Sequence, residues 1–161
     1  MNFERAMAIV FELEGGYVND PADSGGATKF GISATAYPDM DIKNLTREDA
    51  IALYRRDYWD KCRCVELPDA VRLAVFDSAV NQGTMTAIRI LQKAVNVKAD
   101  GIIGSITLAA AHNTPALADE FLARRLYAYM LIPQSVRFGL GWSRRLIRIA
   151  RESFTQGESS I

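Results

Sequence analysis

The residues able to do chemistry are concentrated in one stretch, Glu14-Gly-Gly-Tyr-Val-Asn-Asp-Pro-Ala-Asp-Ser-Gly-Gly-Ala-Thr-Lys-Phe-Gly-Ile-Ser33. A carboxylate is followed by a glycine-punctuated loop that carries Asp20, Asp23 and Thr28. General acid–base work needs such types: one carboxyl holding a proton in a poorly solvated place, and a second polar group across a cleft. Cleavage of a glycosidic bond asks for that combination. Other chemistries are short of residues. The single histidine, His112, lies in an alanine-rich stretch, leaving too few ligands for a catalytic zinc and no visible nucleophile for a triad. Cys62 and Cys64 are two apart, too near for disulfide geometry and without a second pair for zinc, so two buried thiols are expected. No metal and no cofactor are expected.

The elements around these residues can be read from periodicity. Phe3, Met7, Val10, Phe11 and Glu14 form one stripe of a helix, which Gly15-Gly16 should end. Glu14 then sits at the C-terminal end of an apolar face. Poor solvation and the partial negative charge of a helix end both predict an acid weaker than the ~4.3 of a free Glu, protonated near neutral pH. Residues 15–33 hold five glycines and no helical period, which predicts a loop or short hairpin with Thr28–Ser33 as its strand-like part. Thr46-Arg-Glu-Asp resembles a capping box and should open a helix through Trp59 to about Cys62, with Ile51, Tyr54 and Tyr58 on one face.

Pro68-Asp69 opens another helix, with Val71, Ala74, Val75, Ser78 and Ala79 inward, ending at Asn81-Gln-Gly83. Thr84 is expected to cap the next, where Ile88, Leu91, Gln92 and Val95 share a face. Asp100-Gly-Ile-Ile-Gly104 reads as a tight turn, which Thr107 should stabilise, and Ser105 as the cap of a short helix through Ala111. Thr114-Pro115 should open a helix to about Met130. A loop from Pro133 to Gly141 is expected before a last helix from Trp142 to about Phe154, followed by a frayed tail.

The predicted class is mainly α, with one small β element near the N-terminus. At 161 residues, about half of them apolar, the chain can bury one ordinary core. No run approaches the ~20 apolar residues of a membrane span, so no integral membrane segment is expected. The N-terminus lacks a basic start and carries Glu12 and Glu14 where a signal peptide would stay apolar, which predicts synthesis in the cytoplasm without a secretory signal. Charge is uneven: residues 1–84 hold nine basic and fourteen acidic side chains (net −5), and residues 85–161 hold ten and five (net +5). Arg124, Arg125, Arg137, Arg144, Arg145, Arg148 and Arg151 make up most of the basic excess. They read as a solvated face with ion pairs to the acidic half, or as a footprint for an anionic polymer. Nucleic acid is not expected as a partner, because the arginines lack interleaved aromatics and a recognition motif.

The stretch from Glu14 to Ser33 resembles the signature of glycoside hydrolase family 108, phage-type N-acetylmuramidases also labelled secretion activator proteins. The resemblance continues through Asp77-Ser-Ala-Val-Asn81-Gln-Gly83 and Leu91-Gln92. Asp100-Gly-Ile-Ile-Gly-Ser-Ile-Thr107-Leu is similar to that family's peptidoglycan-binding half, and Gly141-Trp142-Ser-Arg-Arg145 to its C-terminal pattern. Ser105 departs from the proline often found there. The resemblance implies a lysozyme-like helical domain, with a muramidase segment at 1–66 and a peptidoglycan-binding-like segment at 67–161 packed together as one compact unit.

It also implies that Glu14 is the catalytic carboxylate, cutting the β-1,4 link between N-acetylmuramic acid and N-acetylglucosamine. Eight residues separate Glu14 from Asp23 and four separate Asp23 from Thr28, a spacing similar to the Glu, Asp/Cys, Thr arrangement of phage lysozymes. Asp23 would face the positive charge or hold a water that Thr28 helps position; Asp20 is its rival, in an Asp-Pro context that suits a turn. Tyr17, Gly26, Tyr58, Asn81 and Gln82 are the candidate substrate-binding positions. For Tyr17, Tyr58 and Trp59 a place in the core competes with sugar stacking. For Asn81 and Gln82 local capping competes with bonds to acetamido groups. Asp77 is expected to be an ion-pair or cap partner near Arg72. The implied partner is the peptidoglycan glycan strand, reached by a monomer after release from the cytoplasm, as for a phage or prophage endolysin. A lytic transglycosylase or a non-catalytic wall-binding or secretion-accessory protein is the alternative.

Overall fold

The computed structural model describes residues 1–14 and 28–155. Among the described residues the elements are α1 (Phe3–Glu14), β1 (Thr28–Lys29), β2 (Ile32–Ser33), α2 (Arg47–Tyr54), α3 (Asp69–Gln82), α4 (Thr84–Ala94), α5 (Ser105–Asn113), α6 (Leu117–Met130) and α7 (Ser135–Phe154). The expected class, mainly α with a small hairpin near the N-terminus, is what forms. No helix among the described residues is long and apolar enough to cross a membrane.

α3 is the axis of the fold. Val71, Leu73, Ala74, Val75, Phe76, Asp77, Ser78 and Ala79 are all buried, so the helix is covered on every side. It packs against α4, α6 and α7, and touches α1 at the other end. One buried cluster runs from Phe3 and Val10 of α1 through Phe76 and Phe121 to Ile149 of α7. Trp59 belongs to that core: it is 3% exposed and lies edge-on to Phe3 and Phe76 at ring distances of 5.5 and 5.4 Å.

The local signals that formed as read are those with a complete side-chain partner set. Thr46 accepts from the Asp49 amide at 3.1 Å while Asp49 accepts from the Thr46 amide at 3.1 Å, closing the capping box of α2. α2 then loosens into a π-helical segment, Arg55–Asp60, which carries Tyr58 and Trp59. The Asp100 turn is held by Gln92, 1% exposed, which donates to Asp100 Oδ1 at 2.7 Å and accepts from the Gly101 amide at 2.8 Å. Thr107 adds a longer contact, 3.4 Å from Gln92 Nε2. Cys62 and Cys64 are buried and free, and burial pushes the Cys62 thiol up to about 12.

Four helix starts differ from the sequence reading. Gly83 closes α3 and opens α4 at once, so Thr84 is already helical and makes no side-chain cap. Gly104 occupies the cap position of α5, which makes Ser105 its first residue. The Thr114 hydroxyl bonds back to the Ala110 carbonyl at 2.8 Å, and α6 begins only after Ala116 turns the chain at φ 49°. The last helix starts at Ser135, not Trp142, and takes in Gly139 and Gly141. Each interior glycine costs about 1 kcal/mol relative to alanine, in a helix that is anchored on α3 and α6 and buries Leu146 and Ile149 in its later turns.

Candidate active site

Glu14 is the last residue of α1, whose buried Phe3, Met7 and Val10 direct the final turn into the body of the protein. Its side chain is 19% exposed. The hairpin lies against it. Phe30 and Gly31 both have positive φ, 53° and 75°, as a two-residue turn between antiparallel strands of right-handed twist requires. A Cβ on Gly31 would stand 2.9 Å from Glu14 Oε2 and 2.5 Å from the Tyr54 hydroxyl oxygen, so only glycine brings this turn onto the carboxylate. Tyr54 donates to the Phe30 carbonyl at 2.9 Å and pins the turn. Burial, and then the Glu14 charge, push the Tyr54 phenol above its ordinary range; Tyr58, 5.4 Å away ring to ring, is raised chiefly by burial too. Both phenols therefore stay neutral beside the carboxylate.

On the opposite side a cation meets Glu14. Arg145 Nη2, from α7, donates to Glu14 Oε1 at 2.6 Å. The same guanidinium reaches Asp77 of α3, with Nη2 2.9 Å and Nε 3.0 Å from Oδ1. Asp77 is wholly buried and accepts a further bond, 2.7 Å, from Arg125 of α6, which is wholly buried as well. Arg125 also donates to Gln82 Oε1 at 2.9 Å and to the Tyr129 hydroxyl at 3.0 Å. Tyr129 in turn donates to Asn81. Charges thus alternate from Glu14 through Arg145 and Asp77 to Arg125, ending on neutral amide and phenol groups. Burial acts to lower the pKa of Arg145, but Asp77 and Glu14 outweigh it and hold the guanidinium firmly charged.

This arrangement corrects two expectations. Glu14 does not sit alone at the end of an apolar stripe, because α7 brings a guanidinium to it. Asp77 does form ion pairs, but with Arg125 and Arg145; Arg72 instead bonds the carbonyls of Leu67, Met1 and Val65.

Of the other candidates, Thr28 opens β1 opposite Ser33, in the hairpin whose turn covers Glu14. Tyr58 is half-buried and electrostatically coupled to Glu14. Gln82 accepts from Ser78 as well as Arg125, so its carbonyl serves the charge chain. Asn81 accepts from Tyr129 and also lines a cleft of about 340 Å³ with Leu13, Gly141, Trp142, Arg144 and Arg145. Trp142 forms one wall, stacked on Tyr129 at 4.8 Å and 17°. Gly141 narrows the neighbouring turn of α7 to bare backbone. Asp20, Asp23, Tyr17 and Gly26 lie outside the described residues. Sequence reasoning did not place Arg125, Arg145 or Trp142 at this site. The available signal was Asp77 itself: a carboxylate within an otherwise apolar helix has to be met by cations.

A carboxylate oriented by a guanidinium that lines a cleft, and covered by a glycine turn, is a group of the type used in general acid–base chemistry. The Glycosyl hydrolase 108 family model matches residues 7–83, which span Glu14, the hairpin and Asp77. Among solved structures, one described as Brucella abortus SagA is similar over 98% of this chain and 97% of its own, at 36% identity and a TM-score of 0.88. No curated protein sequence matches significantly. The chain belongs to the glycosyl hydrolase 108 family.

Proposed function

We propose that this protein is a peptidoglycan hydrolase of the N-acetylmuramidase type, in which Glu14 protonates the leaving glycosidic oxygen. The observation that carries the reading is the placement of Glu14: a carboxylate with one oxygen under Gly31 and the other on Arg145, at a family-matched position beside a cleft. During the reaction the anomeric carbon becomes oxocarbenium-like and the Glu14 proton passes to the departing oxygen. Arg145 stays tethered to Asp77 throughout, so it receives the carboxylate again once the proton has left. A second group must face the anomeric centre. Asp77 is not that group, since it is wholly buried and both its oxygens are engaged by the guanidiniums of Arg125 and Arg145. Asp23 is preferred, with Asp20 as its rival, and Thr28 is suited to position a water from the hairpin.

The substrate is the β-1,4 link between N-acetylmuramic acid and N-acetylglucosamine, and the setting is wall lysis after release from the cytoplasm, as by a phage or prophage endolysin. The test is digestion of purified cell walls by wild type and Glu14→Gln, with mass spectrometry of the products. Reducing N-acetylmuramic acid ends that disappear in the variant are expected. Anhydro-muramic ends would assign a transglycosylase instead, and an inactive wild type that still binds walls would assign a non-catalytic wall binder.

A further inference from the structure

α7 carries a second surface, whose apolar residues are other than those that line the cleft beside Glu14. Its inward residues are Leu146, Ile149 and Ser153. Val136, Leu140, Ile147 and Phe154 follow one another at spacings of four, seven and seven, which sets them along one face of the helix. They are 97%, 67%, 60% and 45% exposed. At its C-terminal end this face forms a groove of about 410 Å³ lined by Ile147, Ala150, Arg151, Phe154 and Thr155. At the other end, Met130 and Leu131 from the end of α6 continue the apolar surface, each 66% exposed. Isolated exposed apolar residues need no explanation, but a stripe along the full length of a helix does.

The charges beside the stripe are all of one sign. Arg137, Arg144 and Arg151 lie seven apart, and all three are exposed. Arg145 and Arg148 have carboxylate partners in Glu14, Asp77, Glu12 and Glu152. None of Arg137, Arg144 and Arg151 forms an ion pair among the described residues; Arg137 only covers the ring of Phe138 at 5.2 Å. The one carboxylate of α7, Glu152, is held by Arg148 at 3.0 Å. The face therefore presents apolar side chains flanked by three cations without an ion pair among the described residues, of which Arg144 also borders the cleft of Asn81 and Trp142.

We propose that this face of α7 docks in the plane of an anionic phospholipid bilayer. The apolar stripe fits the acyl boundary and the arginines fit the headgroup phosphates, the two contacts of an interfacial amphipathic helix. A glycan or nucleic acid would use the arginines and leave the stripe in water. A second copy of the same face would set arginine against arginine.

The test is flotation of the full chain with vesicles of phosphatidylcholine alone or mixed with phosphatidylglycerol, at physiological salt. Binding to the anionic vesicles only is expected. The Arg137→Gln/Arg144→Gln/Arg151→Gln variant should bind on the order of 100-fold more weakly, from ~1 kcal/mol per cation near such a surface. Val136→Ser/Leu140→Ser/Ile147→Ser should lose at least roughly tenfold. All six positions are exposed, so circular dichroism should show the fold unchanged, and Glu14→Gln should bind like wild type. Failure to bind anionic vesicles overturns the proposal. So does binding that survives loss of the apolar stripe, or arginine-dependent capture by purified walls or by an acidic protein without vesicle binding.

Discussion

The charge of Asp77 is the most consequential single feature to remove. Its carboxylate is wholly buried and accepts from Arg125 at 2.7 Å and from Arg145 at 2.9 to 3.1 Å. At an effective dielectric constant of about 20, a unit pair ~3 Å apart attracts by about 5 kcal/mol, much of it offset by desolvation. The cost of Asp77→Asn is therefore set by what is left behind. Arg145 retains Glu14 and is 12% exposed, so its share is small. Arg125 is 0% exposed and retains only the neutral groups of Gln82 and Tyr129. An uncompensated buried charge of this kind costs about 3–5 kcal/mol. Arg125→Met leaves Asp77 with Arg145 and should cost less, about 1–3 kcal/mol. The double variant abolishes the stranded cation, so the two losses should fall short of additivity by about 1–3 kcal/mol. Urea unfolding at constant slope measures all three. A loss below about 1 kcal/mol in Asp77→Asn, or strict additivity, would refute the reasoning.

Glu14→Gln should lower the rate of wall hydrolysis by roughly 100- to 10,000-fold, the range for a lost general acid, while stability moves by no more than about 1 kcal/mol because Arg145 keeps Asp77. Turbidity clearing and thermal unfolding of the same preparations check both halves. Gly31→Ala should destabilise by about 1–3 kcal/mol and depress hydrolysis as well, since φ is 75° and the added methyl meets Tyr54 and Glu14; an unchanged melting temperature would contradict it. Asp57 has its carboxyl lowered to about 2, first by hydrogen bonds from Arg56 and also by Tyr37. A depressed carboxyl adds stability above its unfolded value of ~3.9 and loses it as pH falls through the folded value. Arg56 is 66% exposed, so screening reduces the effect; Asp57→Asn should cost about 1 kcal/mol near neutrality, and the difference should fade toward pH 2 in acid titrations. Arg145→Lys should retain only part of the wild-type rate per folded molecule, because one ammonium cannot span Asp77 and Glu14 as the guanidinium fork does; equal rates would count against a positioning role.

What could be read from sequence was what neighbours decide. The Thr46–Asp49 box, the Gly83 stop and the stripe from Phe3 to Glu14 each depend on side chains within a turn or two. The helix starts at Thr84, Ser105 and Pro115 were misplaced by one or two residues because an adjacent glycine took the cap position in α4 and α5, and in α6 Ala116 took it while the Thr114 hydroxyl bonded back to α5. The larger miss was at 135–141, where two glycines after a proline read as a loop. Those residues are the first turns of a helix whose later turns bury Leu146 and Ile149, and no local signal in 135–141 shows that continuation. Within the candidate site, Glu14 stands out in the sequence because the polar, glycine-punctuated stretch follows it directly. Arg145 does not, because it is 131 residues away and nothing in its own helix distinguishes it from the arginines that remain in solvent.

The charge asymmetry of the chain acquires a physical reason from that distance. The acidic half supplies Glu12, Glu14 and Asp77, and the basic half supplies Arg148, Arg145 and Arg125 as their partners. These pairs differ in what they do. Arg148 and Glu12 are 45% and 65% exposed, so their bond contributes little to stability. Arg125 and Asp77 are buried, where satisfaction is compulsory and misplacement expensive, so they fix α6 against α3 in one register. Arg145 stands between these extremes. It is fastened to the buried pair at one edge and reaches Glu14 at the other, which transmits the position of the core to that carboxylate. The oriented carboxylate is consequently a product of the whole fold: α1 carries it, the hairpin covers it, and α3, α6 and α7 together set the guanidinium that orients it.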